Sequence, residues 1–226
     1  MLKLYLQAPF GVFRTFTAGS FRPTAGFITP SAAYGLLLNV AGIEMRHDDG
    51  KEMTLITEGL PPLSLALGAL RLPLQQTMYQ QLHNYPVGST GREHAAATKG
   101  TKYNIAPARR SFLAEIRGYL CMEGSDQLED WVLEGLAGKR PREYGLPFLG
   151  DNNFLIDKLE PVEDLDPAFW FVPLHPAEEA GVKRQVTRLT VTIDRQDMSN
   201  TRSALFVTTP EPQREIPKLA WVPVEY

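Results

Sequence analysis

The sequence predicts an α+β fold in the order strand, helix, strand, strand, helix, strand, with one long insertion and a C-terminal β extension. Three observations carry that prediction. Leucines alternate with polar residues at the start, TPSAAYGLLLNVAG reads as a complete helix, and a second capped helix follows an alternating run at residues 111–122.

Each element has a local reason. Leu2, Leu4 and Leu6 alternate with Lys3, Tyr5 and Gln7, which gives a half-buried first strand. Thr29 caps the first helix, Pro30 suits its first position and Gly42 its exit, so the helix spans residues 30–41. Ala33, Leu36, Leu37, Val40 and Ala41 share a face, which the core should cover. Gly35 costs that helix stability, so another backbone or a ligand is expected to come close there. Residues 63–72, LSLALGALRL, form a second strand between Pro61–Pro62 and Pro73. Residues 111–122 form a third, setting Phe112, Ala114, Ile116 and Leu120 against Glu115, Arg117 and Tyr119. Ser125 caps a second helix whose Leu128, Trp131, Val132 and Leu136 align, and which stops at Gly138 before Pro141. Residues 154–159 supply the fourth strand. The order is that of the ferredoxin-like βαββαβ fold, the scaffold on which RRM domains bind single-stranded RNA. Beyond Pro161 an acidic connector, EPVEDLDP, leads to three short strands in FWFVPL, RLTVTID and SALFVTT. The expected division is therefore a core over residues 1–160, insertion included, and a β extension over residues 161–226.

A chain of 226 residues can bury a sizeable core, and its hydrophobic and charged fractions are those of an ordinary globular protein. No apolar run approaches the roughly twenty residues of a membrane span, and MLKLYLQAPFGVFR lacks the pattern of a signal peptide. A cytoplasmic protein without membrane contact is expected. Cys121 is alone, which excludes an internal disulfide and a cysteine zinc cluster, and its apolar neighbours predict a buried structural thiol. The net charge of −3 conceals a segregation. Residues 1–47 set Lys3, Arg14, Arg22 and Arg46 against Glu44 alone. Residues 84–117 set Arg92, Lys99, Lys102, Arg109, Arg110 and Arg117 against Glu93 and Glu115, whereas residues 143–179 hold nine acids and only Lys158. One basic face and one face turned elsewhere is the expectation.

Residues 74–107 are too long for a simple connection between strands, and insertions of that length are usually functional or disordered. They hold Tyr79, Tyr85 and Tyr103 among the basic residues, with a flexible GSTG at residues 88–91. Cations that neutralise phosphates beside rings that stack on bases are the means of binding a single strand of nucleic acid. His94 with Lys99, Lys102 and Tyr103 also offers a general base, charge stabilisation and a hydroxyl, which suffices for metal-independent RNA cleavage. His47, His83 and His175 have no helical partner of the HExxH kind. Asp151, Asp157, Asp164 and Asp166 sit among turn residues, where turn chemistry favours acids without a metal. GSTG and TKGTK lack the order of a nucleotide-binding loop, so neither cofactor nor metal is expected.

QAPFGVFR, PSAAYGLLLNVAG and YGLPFLGDNNFLID, in that order, resemble the Cas-five family of CRISPR-associated proteins. The most specific element is Pro30, Ser31, Tyr34, Gly35, Leu36 and Leu37, with Phe13–Arg14 before it. The resemblance implies the RAMP version of the ferredoxin-like scaffold and a non-catalytic RNA-binding subunit of a type I surveillance complex, Cascade. Such a subunit holds the 5′ handle of the guide RNA, caps the Cas-seven backbone filament, contacts the Cas-eight-type large subunit, and meets target DNA only through the complex. The insertion then corresponds to a thumb-like projection against the guide. The implied RNA-binding residues are Phe13, Arg14, Arg22, Ser31, Tyr34, Gly35 and Arg46 around the first helix, with Arg92, His94, Lys99, Lys102, Tyr103, Arg109 and Arg110 on the projection. One branch of the family cleaves CRISPR repeats with a Tyr, Lys and His set, so a repeat endoribonuclease is the alternative, and a purely structural adaptor is a third.

Overall fold

The computed structural model describes residues 1–15, 21–48, 50, 54–86, 103–174 and 186–226, with backbone alone for 82–86 and 103–106. They form an α+β fold, a mostly antiparallel sheet with two α-helices. In chain order these are β1 (Leu2–Gly11), β2 (Phe21–Arg22), α1 (Pro30–Val40), β3 (Arg46–His47), β4 (Leu55–Ile56), β5 (Leu63–Ala69) and β6 (Leu74–Pro86). There follow β7 (Tyr103–Glu123), α2 (Asp126–Leu136), β8 (Lys158–Pro161), β9 (Phe169–Pro173), β10 (Val186–Thr192), β11 (Arg202–Thr208) and β12 (Val222–Val224). The main sheet runs β10-β11-β9-β5-β7-β1-β8, with β12 added to β5 and with β2 and β6 added to β7.

The central strands of this sheet are covered on both faces. On one face Leu4 lies opposite Leu120 and Leu2 opposite Met122, and these join α1 and α2 residues such as Leu37, Leu128 and Val132 in the larger core. On the other face Tyr119 and Cys121 meet Ala66, Ala168 and the fully buried Trp170. Both helix starts are capped as their sequences require: the Thr29 hydroxyl accepts from the Ala32 amide and the Ser125 hydroxyl from the Leu128 amide. Gly42 leaves α1 at φ 71°, a conformation that glycine adopts without steric cost.

Three sequence expectations change. The second strand ends at Ala69 rather than Leu72, because the turn at 70–73 breaks it opposite Glu115, which itself takes φ 58°. The fourth strand is Lys158–Pro161 rather than residues 154–159, since 149–154 folds into a turn in which the Leu149 amide reaches the Phe154 carbonyl. The long insertion is not a loop at its base. Its first thirteen residues are β6, paired antiparallel with β7 from Leu74 opposite Ala114 to Pro86 opposite Tyr103. On the other side of β7, β1 reaches only Leu113 and β2 only Arg109 and Arg110. From Ala108 outward β6 and β7 therefore stand as a two-stranded arm.

Candidate nucleic-acid interface

The base of the arm carries the arrangement best suited to a single strand. β6, β7 and β2 bring Tyr79, Arg109 and Phe21 into register across three neighbouring strands. Register partners project from the same face of a sheet, so ring, guanidinium and ring form one row. All three are exposed, Tyr79 at 69% and Phe21 at 45%. Burying such rings is favourable, yet the fold leaves them in water. Arg14 stands close by in the chain path: it bridges Thr24, three residues after Phe21, and the Phe13 amide donates to the Thr24 hydroxyl. Among the described residues Arg14, Arg22 and Arg109 have no ion-pair partner.

Arg110 is different although it is the next residue. Its guanidinium Nη1 lies 2.5 Å from an Asp151 carboxylate oxygen and 3.4 Å from Gln80 Oε1, with only 13% of its side chain exposed. Burial alone would raise the Asp151 carboxyl, but the Asn153 amide and Arg110 together hold it below its ordinary value. Arg110 thus ties the arm to the 144–151 segment instead of presenting a free cation, and Asp151 is an ion-pair partner rather than part of a metal cluster. Among the described residues no group of acids, histidines and cysteine has metal-binding geometry.

The residues around α1 divide in the same way. Phe13, Ser31 and Tyr34 are buried, which corrects their assignment to the RNA surface. Tyr34 stacks on Tyr226 at 5.2 Å and donates to the Pro61 carbonyl, and burial together with Tyr226 pushes its phenol well above the usual value. The Ser31 hydroxyl is hydrogen-bonded to Thr29 within the helix cap. Arg46 remains accessible, its guanidinium 4.7 Å from the centre of the Tyr144 ring. It edges a cavity of about 240 Å³ lined by Gly35, Leu36, Asn39, Met45, Tyr144 and Phe148. Two of the sequence motifs meet there, joined by a hydrogen bond from Asn39 Nδ2 to the Tyr144 carbonyl.

Gly35 opens on this cavity, and a Cβ there would find only Met45 Sδ, at an ordinary 3.6 Å. The close approach expected at Gly35 is found instead at Gly135 of α2, where a Cβ would lie 1.8 Å from the Val40 carbonyl oxygen of α1. Arg92, His94, Lys99 and Lys102 lie outside the described residues, as does the side chain of Tyr103. Sequence reasoning named Phe13 and not Phe21. The pattern that separates them is tertiary, since both precede an arginine and only pairing with β7 turns Phe21 outward.

The model of a family described as CRISPR-associated protein (Cas_Cas5) matches residues 1–141. Among curated proteins none matches the chain in sequence. Among solved structures, a chain of a "CRISPR RNA-guided surveillance complex" is 14% identical with a TM-score of 0.60, covering 96% of this chain and 92% of that one. A second, described as "Crystal structure of Cas protein", is also 14% identical, with a TM-score of 0.49 and coverage of 97% and 96%.

Proposed function

The chain belongs to the Cas5 family of CRISPR-associated proteins, and from that membership we propose that it is the guide-RNA-binding subunit of a type I surveillance complex, holding the 5′ handle. The observation that carries this reading is the exposed row Tyr79, Arg109 and Phe21 at the base of a projecting arm. Rings at either side stack on unpaired bases while the guanidinium meets the phosphate between them. Arg14 and Arg22 extend the cationic track towards α1, and Arg46 on Tyr144 offers a further cation beside Gly35. Arg92, Lys99 and Lys102 lie in the sequence between β6 and β7, and Tyr103 begins β7, so the reading counts them as further candidates for the guide. The strand order β5-β7-β1-β8, with α1 and α2 between the strands in sequence, supports the ferredoxin-like RAMP scaffold. In this reading the subunit caps a Cas-seven-type filament beside a Cas-eight-type large subunit and leaves repeat processing to another nuclease.

Binding of handle-containing RNA, measured against salt, tests the proposal. Phe21→Ala and Tyr79→Ala should each cost about 1–3 kcal/mol if a base stacks on the ring, with no change in salt slope. Full affinity in the double variant would sink the row as the interface. Labelled repeat RNA incubated with the protein in EDTA should stay intact; specific cleavage abolished by His94→Ala would replace this reading with the endoribonuclease.

A further inference from the structure

Sheets end in strands whose outer amides and carbonyls have no strand beside them, and proteins blunt such edges with charge, proline, shortness or a bulge. β8, at one end of this sheet, has four residues that include Lys158, Glu160 and Pro161. β10, at the other end, carries Arg188 and a register break between Thr190 and Thr192. β6 has none of these protections along most of its length. It runs thirteen residues, LQQTMYQQLHNYP, without one Lys, Arg, Asp or Glu. Its register with β7 is unbroken from Leu74 to Leu82, and its only proline is the last residue. Among the described residues β7 is its one partner, and Leu74, Gln75, Gln76, Thr77 and Tyr79 are exposed.

We propose that the outer edge of β6 is completed in the assembled complex by an extended strand from another protein subunit. This inference rests on the reading above that the chain works in a multi-subunit complex. The chemistry of the edge selects the occupant. An open ladder alternates donors and acceptors at the spacing of a second backbone, and main-chain pairing of that kind supplies affinity with little demand on side chains. RNA offers phosphates that require cations, and β6 has none, whereas its neighbour β7 presents Arg109 on the face of the arm. Face and edge are thus separate surfaces, one for the guide and one for a polypeptide.

Amide hydrogen exchange over residues 74–82 tests the assignment, in the full chain alone, with guide RNA, and with the partner subunits added. The expected result is that alternate amides slow at least tenfold only when partner subunits are present. Unchanged exchange in the assembled complex overturns the proposal. Slowing by RNA alone, or slowing that grows with the concentration of the chain alone, overturns it in favour of RNA or of a second copy. Gln76→Pro and Thr77→Pro give an independent check, because neighbouring amides of a strand point to opposite sides. One substitution breaks the β6–β7 ladder and lowers the melting temperature; the other removes only an outward amide. The tolerated variant should keep its RNA affinity and enter the complex at least tenfold less well, and normal incorporation would overturn the proposal. RNA affinity of the free chain is scored separately, so a chain that fails to bind guide while β6 still slows would remove the proposed function and leave the edge assignment standing.

Discussion

Arg109 and Arg110 are adjacent in sequence, but one is exposed and the other is paired with Asp151, so exchanging each for alanine separates the proposed binding from stability. Arg109 is exposed and has no ion-pair partner among the described residues. Arg109→Ala should leave stability within about 0.5 kcal/mol, as is usual for surface sites. Its loss should also make the salt dependence of RNA binding shallower by about 0.7 in log K against log salt, one phosphate contact on a single strand. Arg110 and Asp151 have side chains only 13% and 15% exposed. Removing one partner strands the other charge in a poorly hydrated place, which costs about 3–5 kcal/mol in a full interior and about 2–3 here, at the edge of one. For a chain of this size each kcal/mol moves the melting temperature by roughly 2–4 °C, so Arg110→Ala should melt roughly 4–12 °C lower. Its salt slope should match that of the parent. Thermal melting by circular dichroism and filter binding from low to moderate salt read both quantities. A shallower slope for Arg110→Ala with an unchanged slope for Arg109→Ala would refute the assignment, and so would two melting curves that coincide.

Three further outcomes follow from the same geometry. The Asp151 carboxyl is held below its usual range, so it contributes stability that is present above the unfolded value of about 3.9 and is lost as pH falls through the lower folded value. The melting-temperature gap between parent and Asp151→Asn should accordingly be full at neutral pH and close under strong acid; a gap independent of pH would contradict the ion pair. Cys121 is fully buried, and burial pushes its thiol up to about 12, so the native chain should resist iodoacetamide at neutral pH and react only on unfolding. Gly35→Ala should raise helix stability by about 1 kcal/mol, whereas Gly135→Ala should cost about 1–3 kcal/mol by forcing α2 away from Val40. Equal melting temperatures for the two glycine variants would show that the helices have room to separate.

The sequence by itself determined the elements whose causes are local. Thr29, Pro30 and Gly42 bounded α1, Ser125 started α2, and alternation marked β1 and β7, because capping and side-chain periodicity act within a few residues. The motif order around Pro30–Leu37 likewise pointed to the family that the match over residues 1–141 then showed. Only the tertiary structure decided which arginine is paired with an acid among the described residues. Arg109 and Arg110 have the same chemistry, and what separates them is Asp151, forty-one residues away, folded against one of them. It also decided that LQQTMYQQ is a strand, since polar glutamines carry little strand signal and pair here because β7 lies beside them. The same holds for the glycines, as Gly35 and Gly135 look alike in their helices and only the crossing of α1 and α2 brings a carbonyl onto one of them. Contacts between residues distant in the chain depend on how elements pack, and that information is absent from any local window of sequence.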